Sequence, residues 1–275
     1  MMRKIGINAE LGFGIPAIEM LPLIRDAGFD AVFVSEYPAE ELVAIRRRAD
    51  ELGLEIPFVH ASFSKIERVW EDDPEGDAVI DRLIACVDKT AAIDVPVVIC
   101  HVYKGFGKEE IPTELGIRRF ARLLDHAQTR GVRIAFENTE GDPYLEAIRT
   151  HLWEHPATAF CFDSGHEVCY NRSRDLLATF GDRLVATHLD DNLGIKGESI
   201  FWHDDLHLLP WDGVVDFEGV ARRIQKTGFD GTLMFELTVK SKPERHENDV
   251  YREMGCEAYL KLAHERAVRF AKLFE

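Results

Sequence analysis

The sequence predicts an α/β protein built as a single (β/α)8 TIM barrel, residues 1–275 with a C-terminal helix, and three observations predict it. Short apolar runs of strand type alternate eight times with stretches of helical periodicity. The strand runs are unbroken rather than alternating, as parallel strands covered on both faces require. A unit also recurs: Ala27-Gly28-Phe29-Asp30-Ala31-Val32-Phe33-Val34-Ser35-Glu36 mirrors Thr227-Gly228-Phe229-Asp230-Gly231-Thr232-Leu233-Met234-Phe235-Glu236, with looser copies at residues 53–60 and 131–137. An open doubly wound sheet is the competing architecture, but no GxGxxG or GxxxxGK follows the first strand. No linker or low-complexity stretch divides the chain.

Residues 4–9 form the first strand, which turns polar at Asn8 and Glu10. Gly12 and Gly14 make a loop, Pro16 stands where a helix starts, and residues 17–27 are helical. A Gly28-Phe29-Asp30 turn leads to the second strand, residues 31–36. Residues 39–52 are a helix ended by Gly53, and residues 54–60 are the third strand. A loop with Phe63, Lys65 and Trp70 precedes a helix over 74–93 and a fourth strand, 95–101, rich in β-branched residues. A helix over 112–130 stops at Gly131, and 132–137 is the fifth strand. A short helix over 142–150 precedes the sixth strand, 158–162, and a helix over 172–180 precedes the seventh, 184–188. A long polar loop covers 190–213, a helix 217–227, and the eighth strand 232–237. A charged tail helix runs over 245–274, with Leu260, Ala263, Ala267, Phe270 and Phe274 on an apolar side that packs on the barrel or on a second subunit of a homo-oligomer.

Lys plus Arg number 33 against 49 Asp plus Glu, for a net charge of −16. Such a chain repels phosphate backbones, and the densest basic run, Arg46-Arg47-Arg48, sits among Glu40, Glu41, Asp50 and Glu51, so nucleic acid is disfavoured as a partner. The five cysteines show no CxxC and read as free thiols in a reducing compartment. Met1-Met2-Arg3-Lys4 is basic, but the following residues turn polar too soon for a signal peptide. No stretch reaches 18 apolar residues, so no membrane span is expected and the expected location is the cytoplasm.

The active site of such a barrel lies at the C-terminal ends of its strands. There stand His60, His101, Glu137, Asp163 with His166 just beyond, His188 and Glu236, and the loop after the seventh strand adds Asp205 and His207. Carboxylates crowded in this way repel unless a cation neutralises them. A divalent metal is the economical explanation, and mixed oxygen and nitrogen donors suit Mn, Zn, Co or Mg; the lack of thiolates argues against a structural zinc.

The segments Phe136-Glu137-Asn138-Thr139, Phe162-Asp163-Ser164-Gly165-His166, His188-Leu189-Asp190-Asp191-Asn192, Asp205-Leu206-His207-Leu208-Leu209-Pro210 and Phe235-Glu236-Leu237 resemble the xylose isomerase-like barrel superfamily. That superfamily holds sugar phosphate isomerases/epimerases, ketose 3-epimerases and the apurinic endonucleases of family two. Resemblance to the 3-epimerases implies one metal on Glu137, Asp163, His188 and Glu236, with Glu137 and Glu236 as the acid/base pair and His166 at the substrate. Resemblance to the endonucleases implies a trinuclear zinc set of His60, His101, Glu137, Asp163, His166, His188, Asp205, His207 and Glu236. In one respect the chain departs from the pattern. Where the family has Pro-Gly-x-Gly after the Asp-x-His pair, this sequence has Pro210-Trp211-Asp212-Gly213.

The function these residues imply is a metal-dependent sugar, sugar-phosphate or polyol-ketone isomerase or epimerase. One Glu removes the proton alpha to a metal-polarised carbonyl and the other returns one. The alternatives are a trinuclear-zinc phosphodiesterase of apurinic-endonuclease type, which the net charge disfavours, and a keto-polyol dehydratase using the same abstraction. Phe13, Phe63, Trp70, Phe106 and Trp202 fall on loops expected at the same mouth, and Trp70, Lys104 and Trp202 are candidate substrate contacts, Lys104 for a phosphate or carboxylate. His126, His151, His155, His246 and His264 fall away from the mouth, and His203 is a loop residue beside Trp202.

Overall fold

A computed structural model describes residues 3–107 and 111–275; Met1 and Met2, the start of the basic N-terminus, lie outside the described residues. Its strands are β1 (Ile5–Asn8), β2 (Ala31–Ser35), β3 (Val59–His60), β4 (Val97–His101), β5 (Arg133–Glu137), β6 (Thr158–Asp163), β7 (Leu184–His188) and β8 (Leu233–Phe235). They run parallel in the order β7-β6-β5-β4-β3-β2-β1-β8. The ends of that order meet. Leu189 N donates to Met234 O at 2.9 Å, and Met234 N donates to Thr187 Oγ1 at 3.0 Å, so β7 lies against β8 and the sheet is a nearly closed TIM barrel.

The helices α1 (Ala17–Ala27), α2 (Ala39–Leu52), α3 (Pro74–Ala91), α4 (Glu114–Thr129), α5 (Asp142–Leu152), α6 (Ser164–Cys169), α7 (Leu176–Phe180) and α8 (Phe217–Thr227) alternate with the strands, and α9 (Asp249–Glu253) and α10 (Cys256–Ala271) close the chain. The longer helices each bury one apolar stripe. In α4 this is Gly116, Phe120, Leu123, Leu124 and Ala127, at helical spacing, and Thr113 caps the first turn by accepting from Gly116 N at 3.2 Å. Burying a side chain the size of Phe120 contributes roughly 1.5–3 kcal/mol. The apolar side of α10 is spent on the barrel itself, against α1, α8 and β1.

Inside the barrel, large Phe33, Phe58, Ile99 and Met234 are matched by small Ala31, Ala135, Ala159 and Ala186. Gly6 completes this match, because a Cβ there would lie 2.6 Å from Met234 Cε and 2.8 Å from Ala31 O. This packed layer floors the mouth, and His188 rests on it, stacked on Phe33 at 4.9 Å.

Several boundaries differ from the sequence reading. The third strand shrinks to Val59–His60, with only an isolated bridge between Ala31 and Glu55 before it, since Pro57 has no N–H for a ladder. The helix expected over 172–180 starts at Leu176, because Arg172 and Ser173 are left-handed (φ 54°) and Asp175 caps Ala178 N. A separate helix, α6, fills the space before it. The tail helix breaks at Gly255 (φ 81°) into α9 and α10. No helix among the described residues is long and apolar enough to cross a membrane.

Candidate metal centre

His60, His101, Glu137, Asp163 and His188 are the last residues of β3 to β7, and Glu236 follows β8. Parallel register does the rest: His101 pairs with Glu137, and Asp163 with His188, so one rim carries them all.

Glu137 is fully buried at the centre. Its Oε1 accepts from His188 Nδ1 at 2.9 Å. His188 Nδ1 also lies 3.1 Å from Glu236 Oε2. Around Glu137 Oε2 stand His60 Nε2 at 3.3 Å and His101 Nε2 at 3.2 Å, misaligned for hydrogen bonding, so that oxygen has no partner. Glu137, Asp163, His188 and Glu236 each offer a donor atom, all within 4.8 Å of one another, and His60, Glu137 and His188 form an overlapping set.

Two of the imidazoles are oriented for ligation. His60 Nδ1 sits 2.8 Å from the Ala61 carbonyl, which only accepts, so Nδ1 carries the proton and Nε2 turns a lone pair to Glu137. His166 repeats the device: Nδ1 donates to Asn138 O at 3.0 Å and Nε2 faces Asp205 Oδ1 at 3.6 Å. A ring N–H tied to a carbonyl is the usual outer support of a metal-bound histidine. A lone pair facing a carboxylate needs a cation between them, whether a proton or a metal.

A second group adjoins the first. His207 Nε2 lies 3.1 Å from Asp205 Oδ2 and its Nδ1 3.2 Å from Asp190 Oδ2. His166, Asp205 and His207 make one set of donors, and Asp163, Asp190 and His207 another. Asp163 caps α6 by accepting from His166 N at 2.6 Å, which aims both residues into the mouth. Gly165 makes room for a neighbour: a Cβ there would lie 2.3 Å from Asp190 Oδ2, so glycine lets the buried Asp190 in. Asn138 bonds both backbone groups of Asp163, and Asn192 Oδ1 accepts from Leu206 N and His207 N, holding the Asp205–His207 loop.

The electrostatics call for positive charge. Burial pushes Glu137 up, but His188, His101 and His60 outweigh it and hold the carboxyl well below its usual range. Burial and neighbouring Asp190 push Asp163 well above its own. Two adjacent carboxyls driven apart in this way cannot both ionise without a cation. Burial pulls His166, His188 and His207 down, yet carboxylate neighbours hold His166 and His207, and Cys161 with Glu236 and Glu137 holds His188, well above the ordinary imidazole range. Glu137 Oε2, Asp163 Oδ2, Asp190 Oδ2, Asp205 Oδ1 and His188 Nε2 are buried without hydrogen-bond partners, each at a cost of about 1–3 kcal/mol. A divalent ion fits this donor set: oxygen and imidazole nitrogen, no thiolate, convergent and oriented.

The xylose isomerase-like TIM barrel description matches residues 14–254, which takes in every residue of this ring. The chain belongs to that xylose isomerase-like family. Uncharacterized protein y4fM of Sinorhizobium fredii is 29% identical, over 78% of this chain and 79% of its own. Among solved structures, a xylose isomerase domain protein from Planctomyces limnophilus superposes with a TM-score of 0.73 at 19% identity, covering 99% of this chain and 100% of that one. The D-psicose 3-epimerase of Clostridium cellulolyticum H10, solved with D-tagatose, gives 0.73 at 15% identity, covering 99% of each chain. These likenesses show the fold.

Above the ring of this xylose isomerase-like barrel is a cavity of about 140 Å³. Phe63, Lys104, Phe106 and Trp202 line it, with His101, His166 and Asp205 below. Trp70 does not reach it. The indole is buried, donates to Val102 O at 2.7 Å, and packs on Phe120 and Tyr144. It lies over Gly116, whose Cβ would fall 2.1 Å from Trp70 Cε3, so Trp70 packs on α4 rather than lining this cavity. Phe13 likewise turns to Tyr259. His126 and His155 pair with Asp88 and Asp125, His246 with Asp249, and His264 packs edge-on against Phe29. His203 lies edge-on to Trp202.

Sequence reasoning missed Asp190, Glu140, Tyr170 and Lys242. Asp190 stands two residues past His188, close enough to have been suspected. The other three lie in loops and carry no periodic signal.

Trp211, which replaces a family glycine, has the left-handed backbone glycine favours (φ 69°). Its ring packs on Phe217 at 5.0 Å and under Arg269 at 3.8 Å, contacts that offset the backbone strain.

Proposed function

We propose that the protein is a metal-dependent isomerase or epimerase of a ketose or related polyol ketone. The observation that carries this reading is the approach of Glu137 and Glu236, from β5 and β8, to the same His188 Nδ1 at 2.9 and 3.1 Å. Two carboxylates then flank one position within the Glu137, Asp163, His188 and Glu236 donor set. A divalent ion bound there supplies Lewis-acid polarisation of a carbonyl and its neighbouring hydroxyl.

Glu236 is the more accessible carboxylate, with 23% of its side chain exposed against none of Glu137. Burial raises its pKa, but His188 outweighs this and lowers it to about 2, so Glu236 is ionised and takes the α-proton. Return of that proton by Glu236 to the neighbouring carbon is isomerisation. Return of a proton to the same carbon from the opposite face, on the Glu137 side, is epimerisation; that proton comes from solvent, and the one taken by Glu236 is released to solvent. Phe63, Phe106 and Trp202 screen the cavity from water, and His166 faces the substrate. A cytoplasmic location fits the free cysteines, four of them buried.

The test is metal analysis of protein purified without added metal, together with proton exchange from D2O into a panel of ketoses. One ion per chain with α-deuteration supports the proposal. A second reading, phosphodiester hydrolysis by a zinc cluster, draws on the adjoining sets His166, Asp205, His207 and Asp163, Asp190, His207. Three zincs and incision at an abasic site would replace the first reading with the second. Loss of water from a polyol ketone, seen by product analysis, would instead indicate the dehydratase.

A further inference from the structure

We propose that the substrate carries an anionic group, a carboxylate or a phosphate, held at the outer edge of the site by Lys104 and Lys242. This rests on the sugar-isomerase reading and narrows its substrate class. The two lysines come from the loops after β4 and β8, opposite walls of the barrel by strand order, and both line the cavity above the ligand ring.

Each lysine is set against an aromatic face. Lys104 Nζ lies 4.5 Å from the centre of the Phe63 ring, which stacks on His101 at 4.5 Å. Among the described residues Lys104 makes no ion pair with a carboxylate. Glu140 and Asp205 line the same cavity, yet neither pairs with Lys104. Lys242 Nζ lies 5.6 Å from the Trp202 ring and 3.5 Å from Asp205 Oδ2. That oxygen is shared with His207 Nε2 at 3.1 Å, so Lys242 is only partly neutralised.

Two ammonium groups facing one cavity attract an anion that enters between them. Neutral hydroxyls are served as well by amides or by water. Lysine is a compact point charge suited to carboxylate and phosphate. The anion sits at the rim and the reacting carbon at the ring, so binding energy from the remote group positions the α-carbon over Glu236.

The test uses the metal-loaded enzyme with a neutral pentulose, its 5-phosphate and a keto-aldonate of equal length. The expected result is a kcat/KM at least ~10-fold higher for one charged substrate than for the neutral sugar, declining with salt. The favoured substrate separates phosphate from carboxylate. Lys104→Met and Lys242→Met each lower that ratio at least ~5-fold, chiefly through KM, while Lys104→Arg retains it; metal content is measured in every variant. Equal handling of charged and neutral sugars, or a ratio unmoved in the lysine variants, overturns the proposal and leaves the isomerase reading standing. Should no ketose exchange its proton, the isomerase reading fails. Calorimetric titration with inorganic phosphate then decides the lysine site: binding lost in the double variant supports it, and binding unchanged overturns it.

Discussion

His60 Nε2 points at Glu137 Oε2 from 3.3 Å, with its other nitrogen already committed to the Ala61 carbonyl. The contact is repulsive unless a cation is shared, so ligand loading and stability are linked. Divalent metal at about a thousandfold its Kd adds about 4 kcal/mol. For a chain of this length each kcal/mol moves Tm by roughly 2–4 °C. Differential scanning calorimetry with and without chelator checks this, and a Tm unchanged by metal would remove the metal centre.

Glu236→Gln keeps the shape of the side chain and removes its base. We expect proton exchange to fall by about 100- to 10,000-fold with the circular dichroism spectrum unchanged. Activity near normal would mean that Glu236 is not the base.

Gly165→Ala drives a methyl into Asp190. The expected loss is about 1–3 kcal/mol in urea unfolding, with weaker metal binding measured alongside. A neutral outcome would show that Asp190 can move aside.

Trp70 distinguishes packing from sugar contact. Trp70→Ala is expected to cost about 3–5 kcal/mol of stability, whereas Trp70→Phe, which keeps much of the ring, leaves KM within about twofold. A large KM change in the Phe variant at full stability would put the indole back in the substrate site.

Burial pushes the Glu140 carboxyl up to about 7, although its Oε1 accepts from Gly105 N at 3.1 Å. The folded state therefore binds a proton that the unfolded chain releases nearer pH 4.5. Stability from this group is complete below that pH and is lost as pH rises toward 7, by at most about 3 kcal/mol. Glu140→Gln flattens that part of the pH–stability curve and stabilises the protein at pH 8. If the two curves run parallel, Glu140 titrates normally.

The barrel was legible because its signals are local: a helix-stop glycine, then a β-branched run, repeated. Its errors have local causes too, at Pro57, at left-handed Arg172 and Ser173, and at Gly255. The rim residues were also readable, because parallel strands in register deliver their last residues to the same end. His60, His101, Glu137, Asp163 and His188 need only strand ends to be brought together.

What the sequence determined by itself is thus the barrel and the inventory of donors at its mouth. Tertiary structure alone decided what each donor meets: Asp190 admitted through the missing Cβ of Gly165, Trp70 sunk over Gly116, Lys242 brought across the barrel to Lys104's cavity. Those outcomes depend on distances between loops far apart in the chain, and such loops follow no period from which the distances could be read.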